Sequence, residues 1–139
     1  MKIKLLVLSI ASMIILNSCK KEDKLGCDKN KDNRFMNLVG ISFDRYGDID
    51  NSIIFSCDKD NPNDKTKWTY VAYGDLQNEF GCSGTFTVDD VCNVSKIVFE
   101  TPLCGAYYPH RTVHLLNDKS LVIDMYNFTH TPTRLTLNR

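Results

Sequence analysis

Apolar and polar residues along this chain alternate with period two, in short pieces separated by turn residues, which is the signature of half-buried strands. From Leu38 to Tyr46, Val39, Ile41 and Phe43 alternate with Gly40, Ser42 and Asp44, and Gly47 to Asn51 then reads as a loop. Ser52 to Cys57 is the second strand. The polar stretch Asp58 to Lys67, with Pro62, is the longest loop, and after it Trp68, Tyr70 and Ala72 alternate with Thr69, Val71 and Tyr73 as far as Gly74.

The second half repeats the pattern. Gly84 to Val88 is followed by Asp89-Asp90 as a turn, then by Val94 to Glu100 with Ile97 and Phe99 on one side. Pro102 and Pro109 bracket a short segment, Leu103 to Tyr108. In His110 to Leu116, Val113 and Leu115 alternate with Thr112 and His114, and Asn117-Asp118 signals a hairpin turn. Ser120 to Phe128 and Thr133 to Asn138 complete the set. No window beyond the amino-terminal segment has helical periodicity. About eight short strands with frequent turns predict an all-β domain, a small antiparallel β-barrel or sandwich.

The amino-terminal segment differs in kind. Lys2 and Lys4 give a positive end, Leu5 to Leu16 an apolar run, and Ser18 the small residue of a cleavage site, which together read as a secretory signal. The run is shorter than the ~20 residues that a spanning helix needs. Leu16, Ser18 and Cys19 resemble the lipobox of bacterial lipoproteins, and the resemblance implies cleavage before Cys19 and acylation of that residue. A multiply acylated cysteine is a durable membrane anchor, whereas one acyl chain holds a protein only marginally. Lys20-Lys21-Glu22-Asp23-Lys24 reads as a solvated tether. Within it, Lys21-Glu22-Asp23 resembles a surface-export signal of Gram-negative lipoproteins, which implies the outer membrane and an outward-facing position. The expected organisation is a removed signal at 1–18, a lipidated cysteine and tether at 19–37, and one β domain at 38–139.

Removing residues 1–18 from 139 leaves 121, the size of one domain. Setting Lys2 and Lys4 aside leaves 15 basic against 17 acidic residues, a net charge of −2. No basic stripe interleaved with aromatics is present, so nucleic acid is not an expected partner. Five cysteines follow Cys19: Cys27, Cys57, Cys82, Cys92 and Cys104. In an exported chain disulfides are the default, and an odd number implies two bridges and one free thiol, with 5 × 3 = 15 possible arrangements. Cys27, beside the tether, is the first candidate for the free thiol, while Cys82 and Cys104 flank a hairpin that a bridge could close. No Cys-x-x-Cys pair suggests a zinc site.

Residues 38–139 resemble the small lipocalin-like domains of bacterial lipoproteins. Leu38-Val39-Gly40, Trp68, the hairpin from Leu116 to Ile123, and Leu135-Thr136-Leu137-Asn138-Arg139 carry the resemblance. Gly81-Cys82-Ser83-Gly84 and Thr101-Pro102-Leu103-Cys104 suggest a rival, the META-type lipoprotein domain.

Candidate chemistry is sparse. His110 and His114 would share a strand face and could hold a metal with Asp124, although solvated histidines are the plainer reading; His130 is the third histidine. Asp28 to Asn33 and Asp58 to Asp64 alternate oxygen side chains as calcium loops do, but they lack the glycine at position six, and turn formation accounts for them. No Gly-x-Ser-x-Gly elbow is present, and neither an enzyme nor a cofactor is expected. Trp68, Tyr70, Tyr73, Tyr107, Tyr108 and Tyr126 could line a barrel that holds a small apolar ligand, or could fill it. Two functions follow: a lipid-anchored binding module for a small apolar ligand or surface component, or an interaction lipoprotein with a filled core that contacts a partner protein.

Overall fold

A computed structural model describes residues 25–28, 33–104, 108–126 and 131–139. Cys19, the signal segment, Tyr107 and His130 lie outside them. Eight strands form one antiparallel sheet: β1 (Ser42–Arg45), β2 (Asp48–Ser56), β3 (Thr69–Ala72), β4 (Ser83–Val88), β5 (Lys96–Leu103), β6 (His110–Leu116), β7 (Ser120–Tyr126) and β8 (Pro132–Asn138). Each strand pairs with its neighbour in sequence, and β1 returns to β8, with Asp44 opposite Asn138, to close a barrel. Of the two expected architectures, the barrel is the one adopted.

An up-and-down barrel gathers alternate connections at each end. One pole carries the helix α1 (Phe35–Leu38), the Cys57–Trp68 loop, the Asp89–Ser95 loop, the Asn117–Lys119 turn and Arg139. The opposite pole carries the Tyr46–Gly47 turn and the segment holding α2 (Leu76–Phe80). Both helices bury apolar side chains in the barrel: Phe35 and Leu38 from α1, Leu76 and Phe80 from α2. Between them runs a column of rings. Phe35 lies 4.3 Å from Trp68, Phe86 packs against Phe55 at 5.0 Å, and Phe99 meets Tyr70 at 4.8 Å and Phe80 at 5.0 Å.

Both helices correct the all-strand reading. Each is about one turn long, too short to display a 3.6-residue period, and each is held by what it buries. The barrel domain also begins before residue 38, because Phe35 is fully buried, donates its backbone N–H to Val91 at 2.8 Å, and so belongs to the core rather than to a tether. After α1 the chain makes one bridge at Val39 and enters β1 only at Ser42, which leaves Ile41 exposed.

Two further corrections concern turns and bulges. The expected loop at Gly47–Asn51 is a two-residue hairpin turn: Tyr46 and Gly47 both have positive φ, 59° and 74°, and Asp48 already belongs to β2. Two left-handed residues in succession match the twist of the flanking strands. In β6 the register shifts between Val113 and Leu115, so Leu115 points outward and Leu116 takes the interior position. A bulge of this kind re-aims every residue after it. Pro102 is tolerated within β5 because that strand pairs with β6 only over Lys96–Val98, and because its pairing with β4 is irregular there, the register shifting between Ser83 and Thr85.

Two disulfides staple the domain, Cys27–Cys92 and Cys82–Cys104. The second joins the ends of the β4–β5 hairpin, where the sequence allowed it. The first corrects the expectation that Cys27 is free: the free thiol is Cys57, at the end of β2. Burial, with a smaller contribution from the neighbouring Asp58 charge, raises the Cys57 thiol pKa. Cys57 is accordingly expected to alkylate without reductant while Cys27, Cys82, Cys92 and Cys104 do not, at a rate that rises with pH, as peptide mapping would show. Replacing Phe35 with Ala should cost about 3–5 kcal/mol in chemical denaturation with little change in slope. A loss below 1 kcal/mol would show that α1 is dispensable.

Candidate functional site

The α2 pole has the densest polar chemistry among the described residues. The segment from β3 to β4 turns sharply at Gly74, where a Cβ would meet the Asp50 carbonyl and the Asn51 amide oxygen at 2.3 Å, so no other residue fits. Asn51 then accepts the Asp75 N–H at 2.7 Å, and the Gln77 side chain donates back to the Ala72 carbonyl at 3.0 Å. These contacts fold α2 over the barrel mouth. Phe80 enters the interior, and its carbonyl accepts the Tyr70 hydroxyl at 2.6 Å.

Beneath α2 lies Arg111, only 1% exposed. Its guanidinium donates to the Glu79 carboxylate, to the Glu79 carbonyl at 2.8 Å, to the Tyr108 carbonyl at 3.0 Å and to the Asp124 carbonyl at 3.2 Å. It is sandwiched between the rings of Phe80 and Tyr126, 5.0 and 4.9 Å from their centres. Glu79 also accepts the Tyr126 N–H at 2.8 Å, and Tyr126 stacks on Tyr108 at 4.5 Å. A buried charge is stable only when paired and hydrogen-bonded, and here the chain itself supplies the acceptors. Arg111 is therefore a pin that ties α2 to β6 and β7, not a receptor for an anion.

The residues expected to line a ligand cavity separate. Trp68 and Tyr70 are buried in the aromatic column, and the Trp68 indole donates to the Pro62 carbonyl at 2.9 Å. Burial pushes the Tyr70 phenol up to about 12, against the opposing pull of Arg111, so it stays a donor at every working pH. Tyr73 faces outward just after β3, and Tyr126 covers Arg111. The expectation of one aromatic lining thus gives way to core, surface and pin. Alternation predicted the burial of Trp68 and Tyr70; their use as ligand contacts does not follow from it.

Around the α2 pole stand exposed apolar side chains: Tyr46, Ile49, Tyr73 and Leu103. Tyr46 combines 86% exposure with a φ of 59°, a conformation that costs a residue other than glycine about 1–2 kcal/mol. The Arg45 guanidinium lies 5.1 Å from its ring centre and donates to its hydroxyl at 3.5 Å, but turn geometry does not favour tyrosine there. The same turn would form more readily with Asn or Gly.

On the outside of the barrel His114 and Asp124 contact each other, Nε2 to Oδ1 at 2.6 Å, with Asp124 only 8% exposed. Burial raises the Asp124 pKa, but hydrogen bonds from His114 and Thr112 and the charge of His114 outweigh it, so the carboxyl sits below its ordinary value. Among the described residues no group of three or more His, Cys, Asp or Glu side chains could hold a metal ion. The acidic loop residues act as turn caps: Asp58 accepts the N–H groups of Asp60 and Asn61, and Asp64 accepts the N–H and the hydroxyl of Thr66. Likewise Asp89 accepts from Ser95 and Lys96 and shapes the Asp89–Ser95 loop.

Sequence reasoning missed Arg111 and Glu79. The signal for Arg111 was present, because it shares parity with Val113 and so had to face inward. Glu79 carried none. No family model, curated protein or solved structure matches the chain.

Removing one partner of a buried pair leaves the other charge uncompensated, so Glu79→Ala should destabilise the protein by about 3–5 kcal/mol. Arg111→Met leaves the Glu79 carboxylate unpaired and three carbonyls without their donor, so it should cost a comparable amount, and the double variant should cost clearly less than the sum of the two single losses. Additive losses would refute the pin. For Asp124, a depressed native pKa means that its contribution to stability is full above the unfolded value of about 3.9 and is lost as pH falls through the lower native value. His114→Ala should raise the Asp124 pKa in a side-chain NMR titration, and an unmoved titration would show that the contact has no energetic weight.

Proposed function

We propose that this protein is an exported, non-enzymatic interaction lipoprotein of lipocalin-like type, held at the outer membrane by acyl chains on Cys19. It acts through its outer surface on a partner protein. The observation that carries this reading is the column from Phe35 to Phe80, which gives the barrel interior to the protein's own side chains and leaves the exterior for recognition. The two disulfides suit a chain that folds in an oxidising compartment. Lys21-Glu22-Asp23 supports an outward-facing position on that membrane. The exposed Tyr46, kept in an unfavourable conformation at a hairpin tip, supports recognition at the α2 pole. Burial raises the pKa of the Cys57 thiol, which makes it a poor nucleophile.

An environment-sensitive apolar dye is expected to show no saturable binding to the folded protein. Saturable binding at one dye per chain would restore the alternative, a small apolar ligand held inside the barrel. The intact mass of membrane-extracted protein should begin at Cys19 and carry acyl chains, and an unmodified mature mass would overturn the anchor.

A further inference from the structure

The amino-terminal segment of the domain is attached to one loop at two places. Asn33 and Phe35 hydrogen-bond to the Asp89–Ser95 loop, the Val94 N–H to the Asn33 carbonyl at 3.1 Å and the Phe35 N–H to the Val91 carbonyl at 2.8 Å. Side chains add a third contact there, Asn33 to Asn93 at 3.1 Å. Eight residues earlier than Phe35, Cys27 is bonded to Cys92 of the same loop, with its Cα 5.3 Å from that of Cys92. The Asp89–Ser95 loop is in turn fastened by Asp89, which accepts from the backbone of Ser95 and Lys96.

We infer that the Cys27–Cys92 bridge, and not α1, is the point from which the domain hangs on its membrane anchor, so that the bridge sets its reach. This rests on the acylation of Cys19 proposed above. Eight residues separate Cys19 from Cys27, a span of at most about 29 Å, whereas sixteen separate Cys19 from Phe35, at most about 58 Å. The bridge takes the residues between Cys27 and Phe35 out of the load path. Tension from the membrane reaches a covalent bond to the barrel's own loop before it reaches the hydrogen bonds and burial that hold Phe35.

The test uses the full chain, acylated and reconstituted into vesicles, with energy transfer from Trp68, the only tryptophan, to an acceptor on the lipid headgroups. Trp68 lies at the α1 pole and reports its height above the bilayer. Insertion of eight Gly/Ser residues directly after Cys19 should lower the transfer, since the permitted reach doubles. The same insertion after Asp28 should leave transfer at the wild-type level, because the bridge bypasses it. Cys27→Ser combined with Cys92→Ser should lower transfer, and Cys82→Ser combined with Cys104→Ser should not. Equal loss from the two insertions would overturn this inference while leaving the anchor intact. Failure of the wild-type protein to float with the vesicles would overturn the anchor and this inference together.

Discussion

An eight-stranded barrel has an interior just wide enough to be filled by side chains, and everything else in this structure follows from how that space is filled. The strands alone supply Phe55, Tyr70, Phe86 and Phe99, but neither end is sealed by them. Phe35 enters from one pole and Phe80 from the other, each on a helix of about one turn that would have no stability alone. Some rings meet edge to face, Phe86 on Phe55 and Tyr70 on Phe99, and others stack, Trp68 on Phe86 and Phe80 on Phe99. The polar apparatus at each pole serves these two insertions. Arg111 and Glu79 hold α2, while the Asp89–Ser95 loop and Arg139, which donates to the Asn37 carbonyl, hold α1.

Much of the barrel was legible in the sequence because its signal is local. Trp68, Tyr70 and Ala72 against Thr69, Val71 and Tyr73 alternate inside and outside as the pattern requires, and so do Ile97 and Phe99. Failures fall where tertiary contacts override the local pattern. Leu115 faces outward because a bulge shifts the register by one residue, a change that alternation cannot announce. Phe35 sits among charged and polar neighbours, and only its packing on Trp68 reveals it as core. Cys27 looked unattached because its partner is 65 residues away, a separation about which spacing says nothing.

For the candidate site the balance is different. Parity along β6 places Arg111 inside, yet the acceptor that makes this tolerable lies on a helix invisible to periodicity, with 32 residues between them. The aromatic residues were identifiable, but their division into core, surface and pin depends on which strand faces each one. Tyr46 is the instructive case. By composition it is one tyrosine among six, and only its positive φ and its exposure set it apart, as a ring that meets the adjacent Arg45 at the surface and takes no part in the core.

The closure of β1 on β8 has a consequence in time. Every other strand pair joins neighbours in sequence and closes a short loop, but Asp44 meets Asn138 across 94 residues, and Arg139 ties down α1. Closing so long a loop is entropically the costliest pairing in the sheet, so the hairpins can form locally while the barrel is still open, and its shutting is the late step on which the filled core depends.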